Sequence, residues 1–244
     1  MPVIMKNEEK MKKSIRNTEF DYFTKNIPFL AGLSDDEINK IKNIIVEKRF
    51  LKNQIILLEE DTPNYIYFIY SGKVKVVQQS ADGRERMIAI HKRGDFFGEM
   101  AVLDGKTAPA TVVAIEATKV GFISKTDFEN HLLQNKKVLL EIIALLCIRL
   151  REAWMMCKVM SFADAEQRIR MVLRNMSDQF GIKDQRGTII NLRLTHKDLS
   201  EFASISRETV TRLIKKLADA GEIETLDNKH FLLKPAFRKN NDFL

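Results

Sequence analysis

The sequence contains few of the residues that build disulfide frameworks and metal clusters, and it has no long apolar run. Its 244 residues include two cysteines and four histidines. Two cysteines cannot form a disulfide framework, and they supply too few thiolates for an iron–sulfur cluster, which needs about four. The longest apolar run, residues 142–148, is much shorter than the roughly 20 residues that cross a bilayer. We therefore expect neither a disulfide-rich secreted fold nor a membrane protein.

The sequence also lacks the motifs of common enzymes and of haem proteins. It contains no P-loop, nucleophile elbow or metal-ligand cluster. Its cysteines, Cys147 and Cys157, lie in a stretch that we expect to form a buried helix. A haem needs an axial ligand, and the spacing of His91, His131 and the two cysteines indicates no haem site. We therefore predict that the protein is not an enzyme and has no metal centre.

Charge and targeting signals place the protein among soluble proteins with an anionic partner. Residues 1–16 are charged and lack the apolar core of a secretory signal peptide, which predicts a cytoplasmic location. The net charge of +7 favours an anionic partner but does not identify one. Because the basic residues cluster in segments 6–16 and 207–216, we expect a local interaction site rather than a uniformly basic domain.

Residues 195–217 have the pattern of two short helices joined by a tight turn. Thr195 and Asp198 form a capping-box pattern for the first helix, and Ser206 is a favourable N-cap for the second. At about 100° per residue, the apolar residues of the second helix take one side. The start of the second helix and its opposite side carry most of the candidate DNA-binding residues: Ser206, Arg207, Glu208, Thr209, Thr211, Arg212 and Lys215. Thr195, at the start of the first helix, is a further candidate.

This polar face suits the edges of bases in a major groove. Arginine can bind O6 and N7 of guanine, and glutamate can accept a hydrogen bond from N4 of cytosine. The alternative is an ordinary helix with a solvated charged face. We favour DNA binding because a capped first helix, a short turn and a basic second helix occur together.

The segments around this motif predict a winged helix-turn-helix. Asp164 and Gln167 form a capping box for a helix that ends before Gly181, and residues 188–194 are typical of a strand. After the second helix, Gly221 suits the C′ position. Two short β-rich pieces joined by a turn then predict the wing, at residues 222–226 and 230–233.

Residues 125–160 show helical periodicity with apolar residues on more than one side. Such a helix must be covered on more than one side. Steps of three and four residues define a heptad seam, which we predict to be a dimer interface: Ile143, Leu146, Leu150, Ala153, Cys157 and Met160. The alternative is a single buried core helix. In such a dimer two copies of Cys157 would face each other, so a redox-controlled cross-link is a further hypothesis, against the simpler role of a small core residue.

The N-terminal half predicts helices followed by a small β domain. Pro28 ends a helix near residues 19–26, and Ser34 with Glu37 forms a capping box for the next. Short β-rich pieces with regularly spaced glycine turns then extend from Arg49 to Ser124, which is typical of a small antiparallel barrel or jelly roll. Strands are expected at residues 73–76, 87–90, 111–114 and 120–123, with a hairpin turn at 81–84.

Residues 206–212, Ser-Arg-Glu-Thr-Val-Thr-Arg, resemble the recognition helix of the cyclic-AMP receptor protein/fumarate–nitrate regulator (Crp/Fnr) family of bacterial transcription factors. The resemblance implies that Arg207, Glu208 and Arg212 read bases in a TGTGA-like half-site that is repeated as an inverted pair. It implies an α+β fold: a β-roll effector domain (residues 1–124), a dimerisation helix (125–161) and a winged helix-turn-helix (162–244). The implied partners are double-stranded DNA, a second copy of the chain, RNA polymerase and a small-molecule effector.

Residues 92–114 resemble the phosphate-binding cassette of that family. By motif position, Gly98 and Glu99 match the family's glycine and its ribose-binding glutamate. The position of the phosphate-binding arginine is Ala108, and the next position, usually a small hydroxyl residue, is Pro109, which has no N–H to donate. A buried phosphodiester without a charged partner is costly. The remaining candidate pocket residues are Met100, Ala110, Thr111, Ala153 and Trp154.

Ala153 and Trp154 occupy the positions from which relatives present hydroxyl groups to adenine. These departures predict that cyclic AMP does not bind in the usual mode, and the sequence does not identify an effector. Trp154 either packs internally, which we favour, or stacks on a different ligand. In a variant pocket, a replacement cation could come from Lys106, Arg84 or Arg86, although we favour the role of a solvated surface residue for each.

Two alternatives follow for the function. The first is a regulator that responds to a cyclic nucleotide through a variant pocket. The second is a ligand-sensing module whose helix-turn-helix contacts only protein. For the regulator itself, we expect the DNA-binding parts to reorient about residues 162–164.

Overall fold

The architecture is described from a computed structural model, which covers Ile27, Leu30 and residues 33–81 and 83–239. The helix expected near residues 19–26 lies outside this described part of the chain. The chain divides into two compact units, Met1–Arg149 and Leu150–Leu244. This division falls within a long helix, and the predicted division into three domains stays a prediction.

The first unit contains two four-stranded antiparallel sheets, with strand orders β1-β8-β3-β6 and β2-β7-β4-β5. The β-roll expected from the sequence is thereby confirmed. Its elements are helix α1 (Asp35–Ile44), strands β1 (Val46–Phe50), β2 (Ile55–Leu57), β3 (Tyr65–Ser71), β4 (Lys73–Gln79), β5 (Glu85–Lys92) and β6 (Phe96–Phe97), helix α2 (Glu99–Asp104), strands β7 (Thr111–Ala114) and β8 (Thr118–Ser124), and helix α3 (Lys125–His131).

Strand β3 shows how the sequence builds this unit, because both of its faces are buried. Successive side chains on a strand point to opposite faces. Ile66 and Phe68 lie on one face, in a core that includes Phe128 and side chains from the helices. Tyr67 and Ile69 lie on the other face, in the core between the sheets. A strand buried on both faces has a nearly continuous apolar sequence rather than an alternating one.

Helix α4 (Lys136–Phe162) is 27 residues long, which corresponds to about 40 Å. It begins in the first unit and ends in the second. Near its start, Val138 and Ile142 are buried in the core that contains Phe68. The expectation that the two cysteines are buried is wrong for the single chain, since Cys147 and Cys157 are both exposed. Burial of a dimer helix depends on a second copy, which a single chain does not include.

The second unit is a winged helix-turn-helix, as expected. Its elements are helix α5 (Ala165–Phe180), strands β9 (Gly181–Asp184) and β10 (Gly187–Ile190), helices α6 (His196–Ala203) and α7 (Arg207–Asp219), strand β11 (Ile223–Thr225), a 3₁₀ turn (Asp227–Lys229), strand β12 (Phe231–Leu233) and helix α8 (Pro235–Lys239). The strands form one antiparallel sheet in the order β11-β12-β10-β9.

Most sequence signals in the second unit are confirmed, and one is corrected. Asp164 and Gln167 form the capping box that begins α5. Gly221 adopts a left-handed conformation with φ +71° after α7, as its C′ role requires. The strand expected at residues 188–194 ends earlier, since β10 ends at Ile190. Strand β10 pairs with β9, which was not predicted from the sequence. Within the described residues, no helix is long and apolar enough to cross a membrane.

Candidate functional site

Helix α6 is held at its start by the capping box that the sequence predicted. The Thr195 hydroxyl oxygen accepts from the Asp198 N–H at 3.1 Å, and the Asp198 carboxylate accepts from the Thr195 N–H at 2.7 Å. A cap of this kind contributes about 1 kcal/mol. Leu199, Phe202 and Ala203 are buried, as the apolar pattern indicated. The helix is therefore fixed in position when α7 packs on it.

Helix α7 has the amphipathic form that the sequence predicted. Ser206 caps it by accepting from the Thr209 N–H at 3.1 Å. Its inner side chains are buried, and each contributes roughly 1.5–3 kcal/mol: Val210, Leu213, Ile214 and Leu217. Its outer face, which we call the recognition face, is exposed: Arg207, Glu208, Thr211, Arg212 and Lys215. Packing thus leaves this face available to a partner.

The cations of the recognition face have no salt-bridge partner in the described part of the chain. Arg207, Arg212 and Lys215 form no salt bridge with any described residue. By contrast, Lys216 on the same helix, outside this face, donates to Glu166 at 2.6 Å. The N–H of Glu208 itself and the Ser206 hydroxyl donate hydrogen bonds that lower the pKa of the Glu208 carboxyl and favour its ionised form. The face therefore offers fixed cations and one carboxylate acceptor to a ligand.

His196 lies beside the recognition face, and the sequence analysis did not identify it. Its Nδ1 is 2.8 Å from Oγ1 of Thr211, one turn after Arg207. Burial lowers the pKa of His196, and the nearby charges of Arg207 and Lys229 lower it further. Its place next to the Thr195 cap was the one sequence signal that could have drawn attention to it.

A buried ionic network orients α7 against α5. Arg170 donates to both oxygens of Glu222, with an Nη2–Oε1 distance of 2.9 Å. It also donates through Nε to Glu166 at 3.0 Å. The Arg170 guanidinium lies 5.7 Å from the ring centroid of Phe237. Glu166 in turn accepts from Lys216 of α7. The network joins α5, α7 and the residue that precedes β11, and the sequence analysis missed it.

In the first unit, Gly98 and Glu99 lie where the cassette pattern placed them, at the start of α2. Gly98 has φ +84°, and a Cβ there would lie 2.9 Å from the Tyr65 carbonyl oxygen, so glycine is required. Glu99 is buried, and its carboxylate forms an ion pair with Arg149 of α4. Arg149 also donates to the Phe96 carbonyl at 2.8 Å. The sequence analysis missed this partner of the candidate ribose-binding carboxylate.

Ala108 is part of the core between the two sheets, with 1% of its surface exposed. Its N–H donates to the Asp61 carbonyl at 2.8 Å, and its carbonyl accepts from the Glu60 N–H at 2.9 Å. Both backbone groups are therefore used within the protein. Among the other candidate pocket residues, Ala110 is buried, Thr111 is half-buried and accepts from the Glu59 N–H, and Met100 and Pro109 are exposed.

The predicted seam of α4 is mostly exposed in the single chain. Ile143, Leu150, Ala153 and Cys157 are exposed, whereas Leu146 and Met160 are half-buried. Trp154 is 65% exposed, so the expectation that it packs internally is wrong for the single chain. The exposed apolar surface of α4, which we call the α4 apolar face, consists of Leu139, Leu140, Ile143, Ile148, Leu150, Trp154 and Met155. The Cys157 cross-link stays a prediction.

Both units match sequence models of known families. The cyclic nucleotide-binding domain matches residues 47–135, and the Crp-like helix-turn-helix domain matches residues 167–236. The cyclic AMP receptor protein of Thermus thermophilus is 29% identical over 199 residues, which are 82% of this chain and 89% of that protein. The global nitrogen regulator of a Nostoc species is 26% identical, over 78% of this chain and 86% of that protein.

Solved structures show the same fold. The structure of FixK2 from Bradyrhizobium japonicum has a TM-score of 0.71 at 22% identity and covers 81% of this chain and 96% of that one. The structure of the c-di-GMP-responsive global regulator CLP from Xanthomonas campestris also has a TM-score of 0.71 at 22% identity, over 82% of this chain and 99% of that one.

Proposed function

Because the chain belongs to the Crp/Fnr family of transcription regulators and carries a Crp-like DNA-binding helix-turn-helix, we propose that it acts as a homodimer that reads an inverted repeat of TGTGA-like half-sites in the cytoplasm. The observation that carries this proposal is the recognition face, whose cations have no acidic partner among the described residues. An exposed set of unpaired cations with one ionised carboxylate complements the edges and phosphates of a DNA groove.

Each residue of the face has an assigned role. Arg207 and Arg212 donate to O6 and N7 of guanine, and Glu208 accepts from N4 of cytosine. Lys215 and the hydroxyls of Ser206 and Thr209 contact the DNA backbone and set the register. Thr195 and Thr211 donate their hydroxyl protons to the Asp198 carboxylate and the Arg207 carbonyl, so they position the two helices. The experiment is a mobility-shift titration of the full chain on a duplex with an inverted TGTGA repeat. We expect tighter binding to it than to a scrambled duplex of the same composition, and equal binding would contradict sequence-specific reading.

We propose that the α4 apolar face is the dimer interface. Large apolar side chains on the surface of a long helix mark a site that a partner covers. A second copy fits best, because a twofold dimer presents two recognition helices to half-sites about one helical turn apart. Under this proposal Trp154, Ile143 and Leu150 become buried on assembly.

Replacement of Leu150 by glutamate is expected to dissociate the dimer. Leu150 is 51% exposed in the single chain, so the change has little effect on the fold of one copy. In the dimer it buries two unpaired carboxylates, which costs about 3–5 kcal/mol or more and weakens assembly at least about 100-fold. Sedimentation velocity at low micromolar concentration measures the change. Lys137→Glu, on an exposed part of the same helix, is the matched control, and a dimeric Leu150→Glu chain would contradict this interface.

We propose that cyclic AMP is not bound in the usual mode. The position of the usual phosphate-binding arginine is Ala108, whose backbone groups are already used, and Pro109 has no N–H to donate. The Glu99 carboxylate that would hold a ribose hydroxyl is paired with Arg149. These residues do not fit a buried cyclic phosphate, so the effector of this roll is a molecule of different chemistry.

Calorimetric titration of the purified chain with cyclic AMP is expected to show weak binding, with a dissociation constant above about 1 mM. The physical reason is that a buried phosphodiester would lose its water without gaining a charged partner. Cyclic GMP and a cyclic dinucleotide are titrated in parallel to test other nucleotide effectors. Micromolar binding of cyclic AMP would contradict the assignment.

One observation favours a second candidate, a cyclic-nucleotide regulator with a variant pocket. Arg149 places a guanidinium at the Glu99 carboxylate, and this group could pair with a phosphate instead. In that case the nucleotide would bind to the natural chain and fail to bind to the Arg149→Met variant. The same calorimetric titrations therefore separate the two candidates.

The expected reorientation about residues 162–164 belongs to this proposal. Arg168 of α5 donates to the Met160 carbonyl at 2.9 Å and to the Ala163 carbonyl at 3.1 Å. These two hydrogen bonds bridge the segment between α4 and α5. A change of angle at this segment has to preserve or replace both bonds, which gives the movement a small number of defined end states.

A further inference from the structure

Three basic residues from three different elements lie near one another at the edge of the recognition face. His196 is the first residue of α6, Arg207 is the first residue of α7, and Lys229 belongs to the 3₁₀ turn of the wing. The Leu194 N–H donates to the Lys229 carbonyl at 3.2 Å, which holds the wing turn against the start of α6. The contact between His196 and Thr211 holds the same point against α7.

The hydrogen bonds at Thr211 determine which nitrogen of His196 carries the proton. The Thr211 hydroxyl donates to the Arg207 carbonyl at 3.0 Å, and a hydroxyl has one proton to donate. His196 must therefore donate through Nδ1–H to Thr211 Oγ1. In the neutral ring, Nε2 then carries a lone pair, and no described residue makes a hydrogen bond to it. Protonation of Nε2 converts it from an acceptor into a charged donor.

The charges around His196 come from each element that packs against it. Arg207 faces it from α7 and Lys229 faces it from the wing turn, and both disfavour a charged imidazole. On its own helix, Lys197 forms a salt bridge with Glu201 at 3.4 Å, and the Asp198 carboxylate is used by the Thr195 cap. Among the described residues, neither Arg207 nor Lys229 forms a salt bridge, although the Glu208 carboxylate lies close enough to interact with the charge of Arg207. The positive charges near His196 are therefore only partly balanced within the protein. An anion that binds there would balance them and favour the protonated ring.

We propose that His196 and Lys229, beside Arg207, bind one backbone phosphate of DNA in each half-site, and that a proton is taken up on Nε2 of His196 when the phosphate binds. This inference rests on the proposed function, because the phosphate belongs to the DNA that the recognition face reads. Protonated Nε2 donates to a phosphate oxygen, the Lys229 ammonium supplies a second charge, and Arg207 stays available to the base edges.

The proton uptake makes DNA affinity depend on pH in a defined direction. In the free protein, burial and the nearby positive charges hold the pKa of His196 below its usual value. In the complex the phosphate raises it. The DNA affinity gained from proton uptake is fully present below the pKa of His196 in the free protein. It is lost as pH rises through the higher pKa of His196 in the complex. Each unit by which the pKa is raised corresponds to about a tenfold gain in affinity per half-site.

The test is fluorescence-anisotropy titration of labelled duplexes with the full chain from pH 5.5 to 8.5 at constant ionic strength. One duplex carries the inverted TGTGA repeat and one has a random sequence, since a phosphate contact does not depend on base sequence. We expect the natural chain to bind both duplexes at least about tenfold more tightly at the acidic end. The His196→Gln variant should have a flat pH profile, and His196→Lys, with a permanent charge, should bind tightly at every pH. His230→Gln, in the wing outside the cluster, is the matched control and should keep the natural profile.

The outcomes separate this site from the function on which it rests. DNA binding whose pH profile is the same in the natural chain and in His196→Gln overturns the site and leaves the proposed function intact. Absence of binding to either duplex at every pH overturns the proposed function and the site with it. A His196→Lys chain that binds no more tightly than His196→Gln at pH 8 also overturns the site.

Discussion

Replacement of Glu222 by alanine is expected to destabilise the winged-helix unit by about 3–5 kcal/mol. Arg170 and Glu222 are both buried, with 8% and 6% of their side chains exposed, and they are joined by two hydrogen bonds. Alanine leaves the Arg170 guanidinium buried with half of its partners removed. Urea unfolding of the full chain, followed by circular dichroism, measures the loss.

Two matched variants separate the buried charge from the ion pair itself. The double variant Arg170→Met, Glu222→Leu removes both charges and should be close to the natural chain in stability. Glu224→Ala removes a partner of Arg186 in an exposed pair, with side chains 53% and 40% exposed, and should cost less than about 1 kcal/mol. If Glu222→Ala and Glu224→Ala lowered the free energy of unfolding by the same amount, the role of the buried network would be contradicted.

The second large effect is expected at Arg212 and Arg207 of the recognition face. Loss of a base-specific arginine costs about 1–3 kcal/mol per half-site, and therefore about 2–6 kcal/mol for a dimer on two half-sites. Each of Arg207→Ala and Arg212→Ala should thus bind the inverted repeat at least about 30-fold more weakly. Anisotropy titrations against duplexes with single base-pair changes should also show that each variant loses its sequence preference at the base pair that the arginine contacts. The preference at the other base pairs should be kept.

The control for these variants is Lys216→Ala, which removes a cation from the same helix outside the recognition face. Lys216 already has a partner in Glu166, so its loss should change operator affinity only slightly. If Arg212→Ala weakened specific and random duplexes by the same factor, Arg212 would be a phosphate contact. The assigned base contact would then be wrong.

Local features of the fold could be predicted from the sequence because their causes are local. Three predicted capping boxes, at Ser34, Asp164 and Thr195, are present as hydrogen bonds between residues three positions apart. The two sides of α7 follow from helical periodicity, since packing on α6 requires one apolar side. Regularly spaced glycine turns and short β-rich pieces were sufficient to predict the β-roll.

The missed ion pairs connect residues that are far apart in the sequence. Arg170 and Glu222 are 52 positions apart, and Arg149 and Glu99 are 50 apart. No pattern within one helix or strand indicates such pairs. The exposed Trp154 was misjudged for a different reason, because a helix that a partner covers has the same apolar sequence as a helix buried within one chain.

In the proposed complex, two copies of this chain place their α7 helices in successive major grooves of one duplex. A binding series on duplexes in which base pairs are inserted between two TGTGA half-sites tests this arrangement most directly. We expect five added base pairs, about half a helical turn, to reduce the affinity to that of a single half-site, because the second site turns to the opposite side of the duplex. An affinity that does not change with half-site spacing would contradict it.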